Sequence, residues 1–186
     1  MIELACFETR SLETSITTSG RVSVDARIVE HQLQLVYRFS NWASPLILGA
    51  RSISPQRRDE LWRTTCAEIF VALDPEKPAG GPYLEFNFSP TGDWAAYRFD
   101  APREGMRPHD WPGGSAPTVV GRGSSEDFTL QALVPLAALS AGSCRVAYAS
   151  VVESASGLSY WALKHPSDRP DFHHPESFVV SLELPA

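Results

Sequence analysis

Arg21-Val-Ser-Val-Asp-Ala-Arg-Ile28 and, three residues on, Gln32-Leu-Gln-Leu-Val-Tyr-Arg-Phe39 decide the fold class. In the first run Val22, Val24, Ala26 and Ile28 alternate with Arg21, Ser23, Asp25 and Arg27. In the second, Leu33, Leu35, Tyr37 and Phe39 alternate with Gln32, Gln34 and Arg38. A period of two sends successive side chains to opposite faces of a strand, so each run is half-buried with its other face toward water. Only Val29 to His31 lie between them, enough for a tight reversal, and the pair reads as a β-hairpin.

Working outward, Thr65 to Leu73 and Arg145 to Val152 are apolar on both parities, the pattern of central strands whose second face is covered. Tyr83 to Ser89 alternates again, with Leu84, Phe86 and Phe88 opposed to Tyr83, Glu85, Asn87 and Ser89. Ser89-Pro-Thr-Gly-Asp93 has the Pro and Gly of a tight turn and leads into a strand from Trp94 to Phe99. Further strands are expected at Asp127 to Val134, Leu158 to His165 and Ser177 to Leu184, with Ile2 to Phe7 as an edge. Pro135 to Leu139 reads as a single helical turn opened by proline, and no alternating βα units occur. The expectation is an all-β chain, one antiparallel β-sandwich domain over residues 1–186 in the jelly-roll or immunoglobulin-like manner. It would have about nine or ten strands and one short helical turn. Ala101 to Gly123, rich in Pro and Gly, reads as a long loop of the kind that carries function.

Composition limits the function classes. The 186 residues are 43% hydrophobic and 20% charged, enough to bury a core, and 15 prolines with 12 glycines supply many turns. A net charge of −6, with no basic run beyond Arg57-Arg58 before Asp59 and Glu60, argues against nucleic acid as a partner. The apolar stretch Ala132 to Leu139 is far shorter than the roughly 20 residues of a membrane helix and contains Pro135. The first residues, Met-Ile-Glu-Leu-Ala-Cys-Phe-Glu, lack the basic and apolar regions of an export signal. Cys6, Cys66 and Cys144 are odd in number and show no CxxC spacing, as reduced thiols would, and the expected compartment is the cytoplasm.

Three segments carry a resemblance over nearly the whole chain: Leu61-Trp-Arg-Thr-Thr-Cys-Ala-Glu-Ile-Phe70, Tyr83-Leu-Glu-Phe-Asn-Phe-Ser-Pro-Thr-Gly-Asp-Trp94 and Pro170-Asp-Phe-His-His174. In this order they resemble the bacterial DOMON-like domains. That group is similar in fold to the family 9 carbohydrate-binding modules and to the haem-binding cytochrome domains of sugar dehydrogenases, all β-sandwiches. The resemblance implies a binding module for a sugar or for haem.

Sugar recognition needs flat apolar rings against the pyranose C–H faces, together with carboxylates, amides and Arg for its hydroxyls. Trp62, Trp94 and Trp111 are the candidate platforms, and Glu68, Glu85, Asn87 and Arg98 the candidate polar contacts. Glu85 and Asn87 share a strand face by alternation. The competing structural reading makes tryptophans core residues, as expected for Trp161, and pairs Glu68 or Glu85 with Arg63 or Arg98. The function expected is a non-catalytic module for a small-molecule ligand, a sugar, needing no cofactor.

Other chemistries have partial signals. His165, His173 and His174 fall within ten residues and are the weak candidates for a metal, although adjacent residues in an extended segment point apart. Haem is the alternative cofactor, with Met106 and a histidine as axial ligands because Met1 is the sole other methionine, and no CxxCH occurs. GxSxG, P-loop, HExxH and GxGxxG motifs are all absent. Glu68 and Glu85 could be drawn as a glycosidase pair, but such chemistry depends on a carboxylate separation that sequence does not provide. A third alternative is a protein-interaction domain using an aromatic patch.

Overall fold

A computed structural model describes residues 1–7, 20–74, 80–110, 116–139 and 142–185. Among these the strands run β1 (Ile2–Cys6), β2 (Arg21–Val29), β3 (Gln32–Ser40), β4 (Cys66–Ala72), β5 (Tyr83–Phe88), β6 (Trp94–Phe99), β7 (Arg107–Pro108), β8 (Thr118–Gly123), β9 (Phe128–Pro135), β10 (Gly142–Ser154), β11 (Gly157–Ala162) and β12 (Val180–Leu184). No α-helix occurs among the described residues. Single 3-10 turns form at Leu61–Arg63, Leu136–Ala138 and Pro175–Ser177, the second being the proline-opened turn expected from sequence. No helix among the described residues is long and apolar enough to cross a membrane.

The alternating runs form the expected hairpin. β2 and β3 pair antiparallel from Arg21↔Ser40 to Val29↔Gln32, and Glu30, at φ 55°, turns the chain. The full order is β7-β6-β5-β4-β10-β11-β1-β2-β3-β9-β8, antiparallel throughout, and the sheet curls into a half-barrel. β10, with 13 residues, is long enough to share an edge: Val146 faces Val71 of β4 on one side and Val180 of β12 on the other, and β11 continues beside β10 beyond β12.

Two expectations are corrected. Ile2 to Phe7 is not an edge, because Ile2 to Leu4 pair with β2 while Ala5 and Cys6 pair with β11, so β1 joins the two arms of the sheet. The long loop from Ala101 to Gly123 contains two strands, β7 on β6 and β8 on β9, which brings the described strands to twelve.

The main core lies inside the curl. Val22, Val24, Leu35 and Tyr37 of one arm meet Ile69, Phe86, Val146 and Tyr148 of the other, all essentially inaccessible. Each such side chain contributes about 1.5–3 kcal/mol by leaving water. Trp161 belongs to this core, as expected, packed edge-on against Trp42. β4 is buried at every position, so its outer face is covered too. The cover is a second, smaller core: Phe70, Tyr83, Tyr97, Phe99, Ala147 and Ala149 lie beneath Trp62 of the first 3-10 turn and Phe172 and Phe178 of the segment after β11. All three cysteines are free thiols.

Candidate functional site

Register on the outer face brings the acids together. Glu68 of β4 stands opposite Asn87 of β5, and Phe70 stands opposite Glu85, so the two glutamates are diagonal neighbours across one strand pair. On the other side of β4, Ala149 faces Glu68 and Ala147 faces Phe70. Beside them, Glu68 and Glu85 border a cavity of about 630 Å3.

Glu68 and Glu85 belong to the cavity floor. The remaining lining includes Trp62 and Arg63 from the 3-10 turn, Val151 of β10, Leu158 and Tyr160 of β11, and Phe99 of β6. It is completed by Arg103 and Met106 from the loop after β6 and by Pro170, Phe172 and His173. Rings therefore stand on two sides: Trp62 is held edge-on to Tyr97 at 5.5 Å between centroids, and Tyr160 leans on Phe172 at 6.2 Å.

Burial governs the electrostatics. Glu68 is 2% exposed and Glu85 4%. Burial, and secondarily the Glu85 carboxyl, push the Glu68 acid well above the usual carboxylate range. Glu85 is pushed up to about 7 by burial, against the opposing hydrogen bond from Asn87 and the charge of Arg103. Asn87 Nδ2 donates to Glu85 Oε1 at 2.7 Å, whereas Glu68 Oε1 is buried with no hydrogen-bond partner. His173 is lowered to about 4 by burial and then by Arg103, with Asp171 opposing, so it is neutral at pH 7.

A small network fixes the histidine. The Tyr83 hydroxyl lies 2.7 Å from His173 Nδ1 and accepts the Arg103 backbone N–H at 3.2 Å. A phenol has one proton, and donating it to Nδ1 satisfies both groups, which leaves the histidine proton on Nε2, 3.9 Å from Glu85 Oε2. Arg103, with φ 61°, grips Asp171 Oδ1 through Nε at 3.1 Å and Nη2 at 2.8 Å.

The candidates read from sequence divide into groups. Trp62, Glu68 and Glu85 line the cavity, and Asn87 orients Glu85 from beside it. Trp94 and Arg98 are not brought to it. Their partners Phe88 and Leu84 belong to the main core, Trp94 packs against that core, and Arg98 shares its parity on the opposite face of the sheet. Trp111 lies outside the described residues. Met106 lines the cavity, as does His173. The other histidines serve elsewhere: His165 Nε2 lies 2.9 Å from the Ala5 carbonyl, and His174 Nδ1 accepts the Glu176 N–H at 3.2 Å, capping the last 3-10 turn. Among the described residues no three His, Cys, Asp or Glu side chains are grouped to hold a metal. Neither Arg63 nor Arg98 pairs with the buried glutamates; Arg63 bonds Glu60 at 2.8 Å.

Sequence reasoning missed Tyr83, Arg103, Tyr160 and Phe172. Tyr83 was legible as a member of the polar face of β5, two residues before Glu85. Arg103 lies in the long loop and Phe172 in the segment 170–174 already singled out, and Tyr160 is on β11, but nothing local in the sequence places any of the three beside Glu68 and Glu85. A scan against protein-family models finds no match for the chain, and a search of curated proteins finds none.

Proposed function

We propose that the chain is a non-catalytic, DOMON-like binding module, a β-sandwich of jelly-roll or immunoglobulin-like type, which takes a carbohydrate in the cavity above β4 and β5. The observation that carries this reading is the Glu68 carboxyl: almost fully buried, with Oε1 unpartnered, in a cavity walled by Trp62, Tyr160 and Phe172. A buried acceptor without a donor costs roughly 1–3 kcal/mol, which a ligand hydroxyl offsets. The rings suit the apolar faces of a pyranose, and about 630 Å3 falls within the usual size of small-ligand sites. A glycosidase pair needs one carboxyl ionised while the other is protonated. Among the described residues no Arg or Lys pairs with either glutamate to hold it ionised, and Glu68 Oε1 lacks even a hydrogen-bond donor, which favours binding over hydrolysis. The net charge of −6 speaks against nucleic acid, and three free thiols support a cytoplasmic setting.

Thermal-shift screening against mono- and oligosaccharides tests the reading, because a ligand bound only by the native state raises Tm by mass action. A sugar is expected to raise Tm, and Trp62→Ala to abolish the shift while the protein stays folded. An unchanged shift in Trp62→Ala, or no shift with any sugar, would refute it.

Haem is the second reading, favoured because Met106 and His173 line the same cavity. It requires the His173 proton to leave Nε2 or the Tyr83 contact to break, and it places porphyrin over buried acids. A Soret band lost in Met106→Ala would establish it; a colourless protein that takes up no added haem would end it.

A further inference from the structure

Among the described residues no Arg or Lys forms an ion pair with the acids of the cavity floor, although the charge of Arg103 bears on Glu85. Of the two arginines in the lining, Arg103 is committed to Asp171 through two nitrogens and Arg63 to Glu60. His173, 3.9 Å from Glu85, is neutral. The other titratable groups against the pair add no positive charge. Cys66 precedes Glu68 by two residues on β4, Tyr37 donates its hydroxyl to the Glu68 backbone carbonyl at 2.5 Å, and Tyr83 bonds His173. Asn87 gives Glu85 one neutral donor, and Glu68 Oε1 receives none. Rim cations thus make their direct ion pairs with rim acids, while the two diagonal carboxyls on the floor have no ion-pair partner among the described residues and lie beneath aromatic walls, and aromatic π faces attract cations.

We infer that the ligand presents a positively charged nitrogen to Glu68 and Glu85, which makes it an amino sugar with a free amine rather than a neutral or N-acetylated sugar. The inference rests on the carbohydrate reading for its ring; the charge follows from that acid pair. An ammonium carries three N–H donors, enough for Glu68 Oε1 and the Glu85 carboxyl together, where a hydroxyl carries one. As the cation docks, both glutamates ionise and the protons they held pass to solvent. Uptake therefore releases protons and strengthens as pH rises toward about 7, where Glu85 titrates in the free protein.

Isothermal titration calorimetry of the full chain tests this with D-glucosamine, D-glucose, N-acetyl-D-glucosamine and choline, at about pH 5 and about pH 7, in buffers of different ionisation enthalpy. D-Glucosamine is expected to bind roughly tenfold or more tightly than D-glucose at the higher pH, as befits charge-assisted hydrogen bonds. The advantage should shrink at the lower pH, and the buffer comparison should show net proton release. Glu68→Gln keeps the side-chain shape, so it should fold with an unreduced Tm and bind the two sugars alike; Glu85→Gln provides the same reading independently. Equal binding of D-glucose and D-glucosamine by the unaltered chain would overturn the inference and leave the carbohydrate reading standing. Choline bound as tightly as D-glucosamine would support the charge requirement and count against the sugar ring. No binding of any of the four would overturn the inference, while the carbohydrate reading would still be decided by the wider sugar screen.

Discussion

Glu85→Gln isolates the energetic cost of the buried acid pair in the unliganded protein. In the folded chain burial raises the Glu85 acid from 4.5 to about 7. The folded state therefore keeps a proton that the unfolded chain has already lost, and the stabilisation this provides is complete below about pH 4.5 and disappears as pH rises through 7. At about 1.4 kcal/mol per tenfold change in acidity, that window corresponds to roughly 3 kcal/mol. Glutamine does not titrate, and its Oε1 can still accept the Asn87 amide that Glu85 accepts at 2.7 Å. The variant should match the unaltered protein near pH 4.5 and exceed it near pH 8 by about 3 kcal/mol or more, since Glu68 also loses the neighbouring charge that helps to raise it, a rise in Tm on the order of 10 °C for a chain of this size. His173 acts in the opposite sense. Its pKa is depressed from 6.5 to about 4, so the stability it confers is present above 6.5 and lost as pH falls through 4. Burial and Arg103 cause that depression, both persist in the variant, and the histidine cancels in the difference between the two proteins. Paired urea titrations across this range, followed by tryptophan fluorescence, measure the difference directly. A stability gap of the same size at every pH would refute the assignment of Glu85 as a desolvated acid.

Trp161→Ala, at a site 4% exposed and edge-on to Trp42, is expected to cost about 3–5 kcal/mol in the same titration, whereas a loss below about 1 kcal/mol would remove Trp161 from the core. Gly123→Ala should also destabilise, by roughly 1–3 kcal/mol or more. Gly123 has φ 121°, and an added Cβ would stand 2.2 Å from the Asp127 carbonyl oxygen. An unchanged Tm would show that the turn from β8 into β9 relaxes freely.

The hairpin of β2 and β3 was legible because its pattern is local: the same residues that alternate along each strand also face each other in register. Elements set by distant partners were not. β10 begins at Gly142, ahead of the expected Arg145, because Leu184 and Glu183 of β12 supply backbone partners to Gly142 and Ser143. β7 is the two residues Arg107–Pro108, held against Tyr97 and Arg98, and β8 is interrupted by Gly121 and ends in Gly123, so neither has the apolar alternation that announces a strand. β1 has the composition of an edge strand, and only the closure of the sheet gives it a neighbour on each side.

The same contrast runs through the site. Glu68, Glu85 and Asn87 could be grouped from sequence because β4 and β5 are adjacent and alternation assigns their faces. The misplacement of Trp94 and Arg98 was avoidable. The Ser89–Asp93 turn, closed by Ser89 N–H to Asp93 O at 2.9 Å, sets Trp94 opposite Phe88 and hence on the core face. The walls follow no such rule, since Trp62, Arg103 and Phe172 come from three separate connections that meet only because the outer face of β4 and β5 has to be covered. Strand residues on the floor are constrained by the sheet and by two cores at once, whereas the connections are held by packing on the small core and by single contacts such as Arg103 to Asp171. Exchanging a wall residue such as Trp62 or Phe172 therefore removes part of the small core's cover as well as reshaping the cavity, while exchanging Glu68 or Glu85 alters the charge on its floor.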